Sequence, residues 1–219
     1  MTSTAQLILN PRMPNAEATE LRSLFEKWQR PGDLWLASSG SSRGLKDSLK
    51  LIILTESGLS AAAESGNRYL QATKEDRWLQ TLPVFHVGGQ MIGRRAQVIG
   101  AKVLPAQFAK WSALEFYQQI ANEQITLASL VPTQVFDLVQ AKLRAPASLR
   151  AVLIGGAALD PSLDQAARAL GWPLLPGYGM TEAGALLAGA PLSTAHESQA
   201  PEAFFLLDHI EAKISSDGV

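Results

Sequence analysis

Short apolar segments alternate with segments of helical periodicity along most of this chain, and this alternation is the feature that most constrains its fold. Apolar runs of four to six residues bounded by polar turns are typical of buried strands. Leu21, Leu24, Phe25 and Trp28 recur at the spacing of one helix face, and Pro31-Gly32 ends that helix. Strands that alternate with helices in this way predict an α/β fold: a layered, mostly parallel sheet flanked by helices.

The expected elements follow from the same pattern. The predicted strands are Leu34–Ala37, Leu49–Leu54, Trp78–Pro83, Lys102–Leu104, Thr126–Val131, Ala151–Ile154 and Pro173–Leu175. One helix is predicted to follow Asn15, and a second to follow a capping Thr55 and to extend to about Leu70. The other predicted helices are Gly88–Ile99, Ala113–Asn122, Pro132–Leu143 and Pro161–Leu170. Asp160 followed by Pro161 is a favourable helix start.

The two ends of the chain are less regular. Residues 1–14 are expected to be an irregular lead-in, so that 1–33 would form a lead-in with one helix and 34–219 the main domain. Near the other end, Ile210, Ala212 and Ile214 alternate as in a half-exposed strand, and Asp217-Gly218 predicts a turn.

Composition narrows the functional classes. The 219 residues are 47% hydrophobic and 18% charged, which suits a folded domain with a core, and the formal net charge of −1 does not favour a nucleic-acid partner. There is no cysteine, so a disulfide framework and thiolate chemistry are excluded. No apolar run reaches the about 20 residues that span a bilayer, and no secretion signal is present, so we expect a cytoplasmic protein without membrane insertion. Nothing in the sequence indicates the oligomeric state.

The first candidate for chemistry is a serine-rich segment, Ser38-Ser39-Gly40-Ser41-Ser42-Arg43-Gly44-Leu45-Lys46. Hydroxyl groups and backbone N–H groups of a small-residue turn can bind an anion, and a lysine adds positive charge. It is not the P-loop of nucleotide kinases, because Asp47 follows the lysine. A polar surface turn explains the segment equally well.

A second candidate is Gly177-Tyr178-Gly179-Met180-Thr181-Glu182. The glycines allow close approach of a ligand, the tyrosine ring offers a stacking face, and threonine and glutamate suit a phosphate and Mg²⁺. A tight turn with an exposed acid is the alternative. The turn Gly155-Gly156-Ala157 follows a predicted strand, where parallel sheets bind ligands, and His86 lies in Pro83-Val84-Phe85-His86-Val87-Gly88. A close strand-to-helix connection and a hydrogen-bonded core histidine are the corresponding structural explanations.

Along the chain the order is the serine-rich segment, the His86 segment, Val131-Pro132-Thr133, Gly155-Gly156-Ala157 and Gly177–Glu182. This order resembles the adenylate-forming superfamily of acyl- and aryl-CoA synthetases, luciferases and peptide-synthetase adenylation domains. The resemblance extends from about Leu34 to Val219, and Tyr178–Glu182 is its most specific part. It implies part of the large amino-terminal domain of such an enzyme. Within the superfamily, the stretch from Trp78 to Val103 is similar to the o-succinylbenzoate–CoA ligases of menaquinone biosynthesis.

The resemblance implies ATP, Mg²⁺ and CoA, with a small carboxylic acid as substrate. The implied ATP contacts are Ser39, Gly40, Ser41, Ser42 and Lys46 for the phosphates, Gly155, Gly156, Ala157 and Tyr178 for adenine, and Thr181 for phosphate. Glu182 would hold Mg²⁺, and Lys46, His86, Thr181 and Glu182 would form the catalytic set. His86, Gly179 and Met180 would border the acid, and Arg95 would pair with a carboxylate of a dicarboxylic aromatic substrate.

Two departures from the family pattern bear on these expectations. Arg43 and Leu45 stand where the family has glycine and proline, and Arg43 either adds charge beside pyrophosphate or obstructs the loop. No ribose-binding aspartate and no carboxy-terminal domain with a catalytic lysine precede Val219. We therefore expect the chain to be a fragment, a compact variant or a degenerate relative, with weak nucleotide binding and without complete thioester synthesis. A fatty- or other aryl-acid CoA ligase and a non-catalytic AMP-binding module are the alternatives.

Overall fold

The computed structural model describes residues 4–39, 49–199 and 201–213, which form two β-sheets and the helices that cover them. Its strands are β1 Gln6–Ile8, β2 Leu34–Ser39, β3 Leu49–Leu54, β4 Arg77–Gln80, β5 Lys102–Pro105, β6 Leu127–Leu130, β7 Ala151–Ile154, β8 Leu174–Met180, β9 Ala185–Gly189 and β10 Phe205–Leu206. Its helices are α1 Asn15–Trp28, α2 Glu56–Leu70, α3 Val87–Ile99, α4 Ala113–Glu123, α5 Pro132–Gln140 and α6 Pro161–Ala169, with 3-10 turns η1 Thr181–Ala183 and η2 Leu192–His196.

The larger sheet has the strand order β10-β9-β8-β7-β6-β4-β5. Strands β4 to β8 are parallel, and β9 and β10 add antiparallel strands at one edge. The predicted α/β class with a mostly parallel sheet is confirmed. Because β5 lies on one side of β4 and β6 on the other, the chain reverses direction across the sheet at β4. In open α/β sheets, ligands bind outside the carboxyl ends of strands at such a point.

Two apolar clusters hold the helices on the faces of this sheet. On one face, α4, α5 and α6 pack on side chains that include Leu79 and Val152, and Phe116 and Trp172 stack with ring centroids 6.2 Å apart. On the other, α2 and α3 pack on side chains that include Trp78 and Leu153. Neighbouring residues of one strand thus serve opposite faces, as the period of a strand requires. Strands buried on both faces explain why these runs are continuously apolar.

The smaller sheet, in the order β1-β2-β3, packs against α2 and α3. Its Leu34, Leu36 and Leu54 pack against Leu59 of α2 and Met91 of α3. Thr55 caps α2 as predicted, because its hydroxyl accepts a hydrogen bond from the N–H of Gly58 at 3.2 Å. β2 and β3 are antiparallel, with Ser39 opposite Leu49, so the serine-rich segment connects two adjacent strands.

Several predictions about the ends of elements were wrong. The expected irregular lead-in contains β1, which pairs with β2 through Gln6 opposite Leu34. Strand β4 ends at Gln80 and helix α5 ends at Gln140, each three residues earlier than predicted. The expected strand at Ile210 is absent from residues 210–213. A turn comes just before them, in which the N–H of Ile210 donates to the carbonyl of Leu207. Ile214 lies outside the described residues.

Candidate functional site

The glycine turn after β7 lies at the carboxyl end of the parallel sheet, next to β8. Ile154 pairs with Pro176, so Gly155 and Gly177 follow on adjacent strands. A Cβ placed on Gly155 meets no atom within 4 Å, whereas Gly156 has a φ of +83° that favours glycine. Ala157 follows with an exposed side chain. The turn therefore leaves open space at the sheet edge, where the sequence predicts the adenine pocket.

The Gly177–Glu182 segment is a strand and a 3-10 turn rather than the loop that a ligand-binding turn suggests. β8 continues to Met180 and pairs with β9, with Gly179 opposite Leu186. A Cβ on Gly179 would lie 1.9 Å from the carbonyl oxygen of Ala185, so the close hairpin itself requires glycine here. The Tyr178 side chain is 60% exposed and its ring is free to stack on a ligand. Sequence reasoning assigned both glycines to a ligand and missed that the hairpin needs them.

Thr181 and Glu182 form η1 directly after β8, and Glu182 is exposed. Strand β3 lies beside η1. Of the predicted phosphate contacts, Ser39 is the last residue of β2. Gly40, Ser41, Ser42 and Lys46 lie outside the described residues, as do Arg43 and Leu45. Their predicted roles stay predictions, but the strand that follows the serine-rich segment is placed next to the turn that carries Thr181 and Glu182.

His86 is the residue before α3, and its side chain is exposed. Its ring lies 4.6 Å from that of Phe85, centroid to centroid. The turn that presents it is held by Gln80, whose side-chain amide donates to the carbonyls of Leu82 at 2.7 Å and Gly89 at 3.1 Å. Sequence reasoning missed this supporting role of Gln80. The available signal was a polar amide at the end of an apolar strand.

Two clefts flank these elements. One, of about 420 Å³, opens at the carboxyl ends of β4 and β5 and is lined by Pro83, Phe108 and Trp111 among others. It adjoins the turn that carries His86. The other, of about 480 Å³, lies between α1 and the β2–β3 pair and is lined by Trp28 and Ile53 among others. Neither cleft is lined by a predicted site residue, but the first adjoins the turn that carries His86 at the carboxyl edge of the larger sheet.

Arg95 lies two turns into α3 and is only 3% exposed. A Cβ on Gly66 would lie 2.5 Å from its Nε atom, so the side chain crosses α2 where α2 has no side chain. Its Nε has no hydrogen-bond partner, and Arg95 forms no ion pair within residues 4–39, 49–199 and 201–213. Burial lowers the pKa of Arg95 to about 10, and the nearby Tyr69 opposes this shift. The predicted role of Arg95 as the partner of a substrate carboxylate stays a prediction, and the structure places its side chain in the interior between α2 and α3.

The described side chains suit a nucleotide with a partly hydrated metal ion. No group of three or more histidine, aspartate or glutamate side chains that would enclose a metal occurs in the part of the chain that the structure describes. Mg²⁺, however, is commonly held by one or two carboxylates together with substrate phosphates, and Glu182 offers one such carboxylate. The exposed Tyr178 ring and the open space at Gly155 fit a planar base.

None of the helices built from the described residues has the length and apolar character needed to cross a membrane.

Comparisons with known proteins agree with this architecture. The family model described as "AMP-binding enzyme" matches residues 48–218. The 2-succinylbenzoate–CoA ligase of Bacillus licheniformis is 35% identical over 123 residues, which cover 56% of this chain and 25% of that protein. The corresponding ligase of Staphylococcus aureus strain MRSA252 is 35% identical over 109 residues, which cover 50% of this chain and 22% of that protein.

Solved structures of o-succinylbenzoate CoA synthetase from Bacillus subtilis share the fold. The complex with the acyl-adenylate intermediate OSB-AMP has a TM-score of 0.75 at 24% identity and covers 97% of this chain and 59% of that chain. The complex with ATP and a magnesium ion has a TM-score of 0.73 at 23% identity and covers 99% of this chain and 48% of that chain. The chain thus spans about half the length of these structures, and the matched stretches span about a quarter of the curated relatives. Since the family model covers most of the sequence, and the fold agrees, the chain belongs to the AMP-binding enzyme family.

Proposed function

We propose that this chain provides the nucleotide-binding part of an ATP-dependent, adenylate-forming acid–CoA ligase, and that its acid is o-succinylbenzoate. The observation that carries the proposal is the meeting of two distant segments. β3, which follows the serine-rich segment, lies beside η1 with Thr181 and Glu182, and η1 continues the strand next to the open glycine turn at Gly155. Phosphate-binding and base-binding groups of one nucleotide would then share one edge of the sheet. The proposal extends to a role in menaquinone biosynthesis and to a cytoplasmic location.

In this proposal each segment contacts a different part of ATP. Ser39, Gly40, Ser41, Ser42 and Lys46 bind the phosphates, Thr181 donates a hydrogen bond to phosphate, and Tyr178 packs on the adenine beside Gly155, Gly156 and Ala157. Glu182 holds Mg²⁺, which, when bound, offsets the negative charge of the phosphates. The family and the open space at Gly155 support these assignments.

The chemistry requires no nucleophile from the protein. The carboxylate of the acid attacks the α-phosphate, which gives an acyl-adenylate and pyrophosphate, and the thiol of CoA then displaces AMP. The residues of this chain act by orienting the carboxylate towards the phosphorus and by donating hydrogen bonds to developing negative charge. Loss of one preorganised donor of this kind raises a barrier by about 2.7–4 kcal/mol.

In this proposal the acid is bound by groups of β8, of α3 and of the turn before α3. His86, Gly179 and Met180 border its reacting end, and Arg95 pairs with its second carboxylate. A buried guanidinium without an anion is costly, because its desolvation is not offset by an ion pair. Arg95 is such a group among the described residues, which favours a dicarboxylic acid over a monocarboxylic one.

The test is acid-dependent exchange of ATP with pyrophosphate. We expect Glu182→Gln to lower the exchange rate at least tenfold, since the amide retains the size of the side chain and loses the charge that holds the metal. Glu26→Gln, which changes an exposed carboxylate of α1, is the matched control and should leave the rate unchanged. Exchange that persists at the wild-type rate in Glu182→Gln would remove the metal role.

The same assay separates the alternatives. Faster exchange with a fatty acid or another aryl acid than with o-succinylbenzoate would favour a different ligase. Arg43 and Leu45 in the serine-rich segment favour a non-catalytic binding module. That module would show no exchange with any acid while Mg-ATP still raised its unfolding midpoint, because a ligand that binds only the folded state stabilises it.

A further inference from the structure

Helix α1 carries exposed apolar side chains that the site at the larger sheet does not use. One side of the helix meets the smaller sheet, where Phe25 and Trp35 of β2 stand edge to face with ring centroids 5.5 Å apart. Beside that contact, Leu24 and Trp28 lie on successive turns and are 40% and 61% exposed. Exposed apolar side chains that form one patch mark an interaction surface, whereas isolated ones do not.

The patch is continuous with the cleft of about 480 Å³ between α1 and the β2–β3 pair. Leu24 and Trp28 line this cleft from α1, and Ile53, which is 47% exposed, lines it from β3. Helix and cleft thus present a single apolar surface, apart from the clusters that hold the larger sheet and its helices together. A surface of this kind is suited to the apolar face of another helix.

Charged side chains are arranged in a fixed order along the same side of α1. At about 100° per residue, Glu17, Glu20, Lys27 and Trp28 all lie within about 60° of Leu24 around the helix axis. The two acidic residues are towards the amino end and the lysine is in the last turn. Within residues 4–39, 49–199 and 201–213, none of these three charged side chains forms an ion pair. Their charges are therefore free to meet those of a partner.

We propose that this side of α1 packs on the same side of α1 in a second copy of the chain, as an antiparallel helix pair in a homodimer. A two-fold axis level with Leu24 brings Glu20 of one copy opposite Lys27 of the other. It also brings Glu17 opposite Arg30, an exposed residue that lines the cleft, because both pairs are centred at the same level of the chain. A two-fold interface is self-complementary, so each contact occurs twice.

The order of the charges is the reason for choosing a second copy as the partner. An antiparallel pair places acid against base at both ends, whereas a parallel pair would place like charges side by side. The two Leu24 side chains meet at the axis, and each Trp28 packs alongside the helix of the other copy. The inference is independent of the proposed function, because none of these residues is assigned to ATP or to the acid.

The expected dimer is weak. One helix of 14 residues and the cleft beside it contribute to the interface. Interfaces smaller than about 1,200 Å² belong to weak or transient complexes, so we expect a dissociation constant in the micromolar range.

Sedimentation velocity of the full chain measures the association over about a hundredfold range of concentration around that value. The wild type should change from monomer to dimer. Lys27→Glu places acid against acid at both contacts and should weaken the dimer about tenfold, equal to ~1.4 kcal/mol. The double variant Glu20→Lys with Lys27→Glu reverses both partners of each contact and should restore the wild-type association.

The double variant also separates contacts between copies from contacts within one copy. Lys27 lies 5.3 Å from the ring centroid of Trp28 in its own chain, and this contact is lost in both variants. Only the pairing between copies is regained in the double variant. Recovery of the dimer therefore reports that pairing.

Arg22→Glu is the matched control, because the same change of charge is made at an exposed residue about 160° around α1 from Leu24. It should leave the association unchanged, whereas Leu24→Glu places two like charges at the axis and should leave only monomer. Circular dichroism shows that each variant is folded. A wild type that stays monomeric, a dimer that survives Leu24→Glu, or equal weakening in Lys27→Glu and in the double variant would overturn the inference.

Discussion

Replacement of Gly155 by alanine tests the adenine pocket without disturbing the fold. A Cβ at this position meets no atom within 4 Å, and its backbone does not require glycine. The folded state can therefore accept the methyl group, while the unfolded chain loses conformational freedom. We expect the free energy of unfolding to stay the same or to rise by about 0.4–1 kcal/mol.

The same methyl group should interfere with the nucleotide. If the adenine packs against the turn after β7, the added carbon occupies its space, and excess volume in a packed site costs about 1–3 kcal/mol. This range corresponds to a loss of affinity for Mg-ATP of about 5- to 150-fold. Stability and affinity thus change independently, which a substitution that acted through the fold would not achieve.

Gly156→Ala is the matched comparison, one residue along the chain. Its φ of +83° is unfavourable for alanine, and the new Cβ would lie 3.2 Å from a methyl carbon of Val131. We expect this variant to lose about 1–3 kcal/mol of stability. Urea denaturation gives the two free energies of unfolding, and calorimetry gives the two affinities. Wild-type affinity for Mg-ATP in Gly155→Ala would refute the placement of adenine at β7, and destabilisation equal to that of Gly156→Ala would refute the open space.

Two further predictions concern buried charges away from the site. Arg168 donates to Asp164 at 2.9 Å and to the carbonyls of Thr194 and Leu174. Arg168→Met should therefore lower the free energy of unfolding in urea by about 3–5 kcal/mol, and the further change Asp164→Leu should restore part of it. An unchanged free energy of unfolding in Arg168→Met would show that the pair is dispensable. For Asp76, burial alone would raise the pKa, but hydrogen bonds from Arg150 and others outweigh it and lower the pKa. The stability that this carboxylate contributes is present above its unfolded-state pKa of about 3.9 and is lost as pH falls through its folded-state pKa. Asp76→Asn should therefore make the free energy of unfolding depend less on pH at acid pH. The same slope against pH in the wild type and in Asp76→Asn would contradict this.

Much of the fold follows from local patterns in the sequence. Strand β3 has the predicted ends, Thr55 caps α2, and Asp160 caps α6 by accepting from the N–H of Ser162 at 2.8 Å. These features depend on apolar runs and on side chains next to the backbone that they cap, so neighbouring residues are sufficient to predict them. The short strands β1, β9 and β10 were missed, because a segment of two to five residues becomes a strand only through its partner.

The candidate site divides in the same way. The glycines, Tyr178, Thr181 and Glu182 were found from the residue types and their order. Their roles as catalytic and binding groups remain predictions. Gln80 was missed, because it belongs to no motif. What singles it out is the pair of hydrogen bonds from its side chain to the carbonyls of Leu82 and Gly89, which only the folded turn brings within reach.

The sequence by itself determined the class of fold and the family, because periodicity and motif order are properties of neighbouring residues and of their spacing. Only the tertiary structure decided that β3 lies beside η1, that β8 extends into a hairpin, and that Arg95 is buried where it crosses Gly66 of α2. These facts depend on which surfaces pack when the chain closes. A polar side chain that is hydrated in water requires a hydrogen-bond partner once it is buried, and burial cannot be inferred from the neighbouring residues in the sequence.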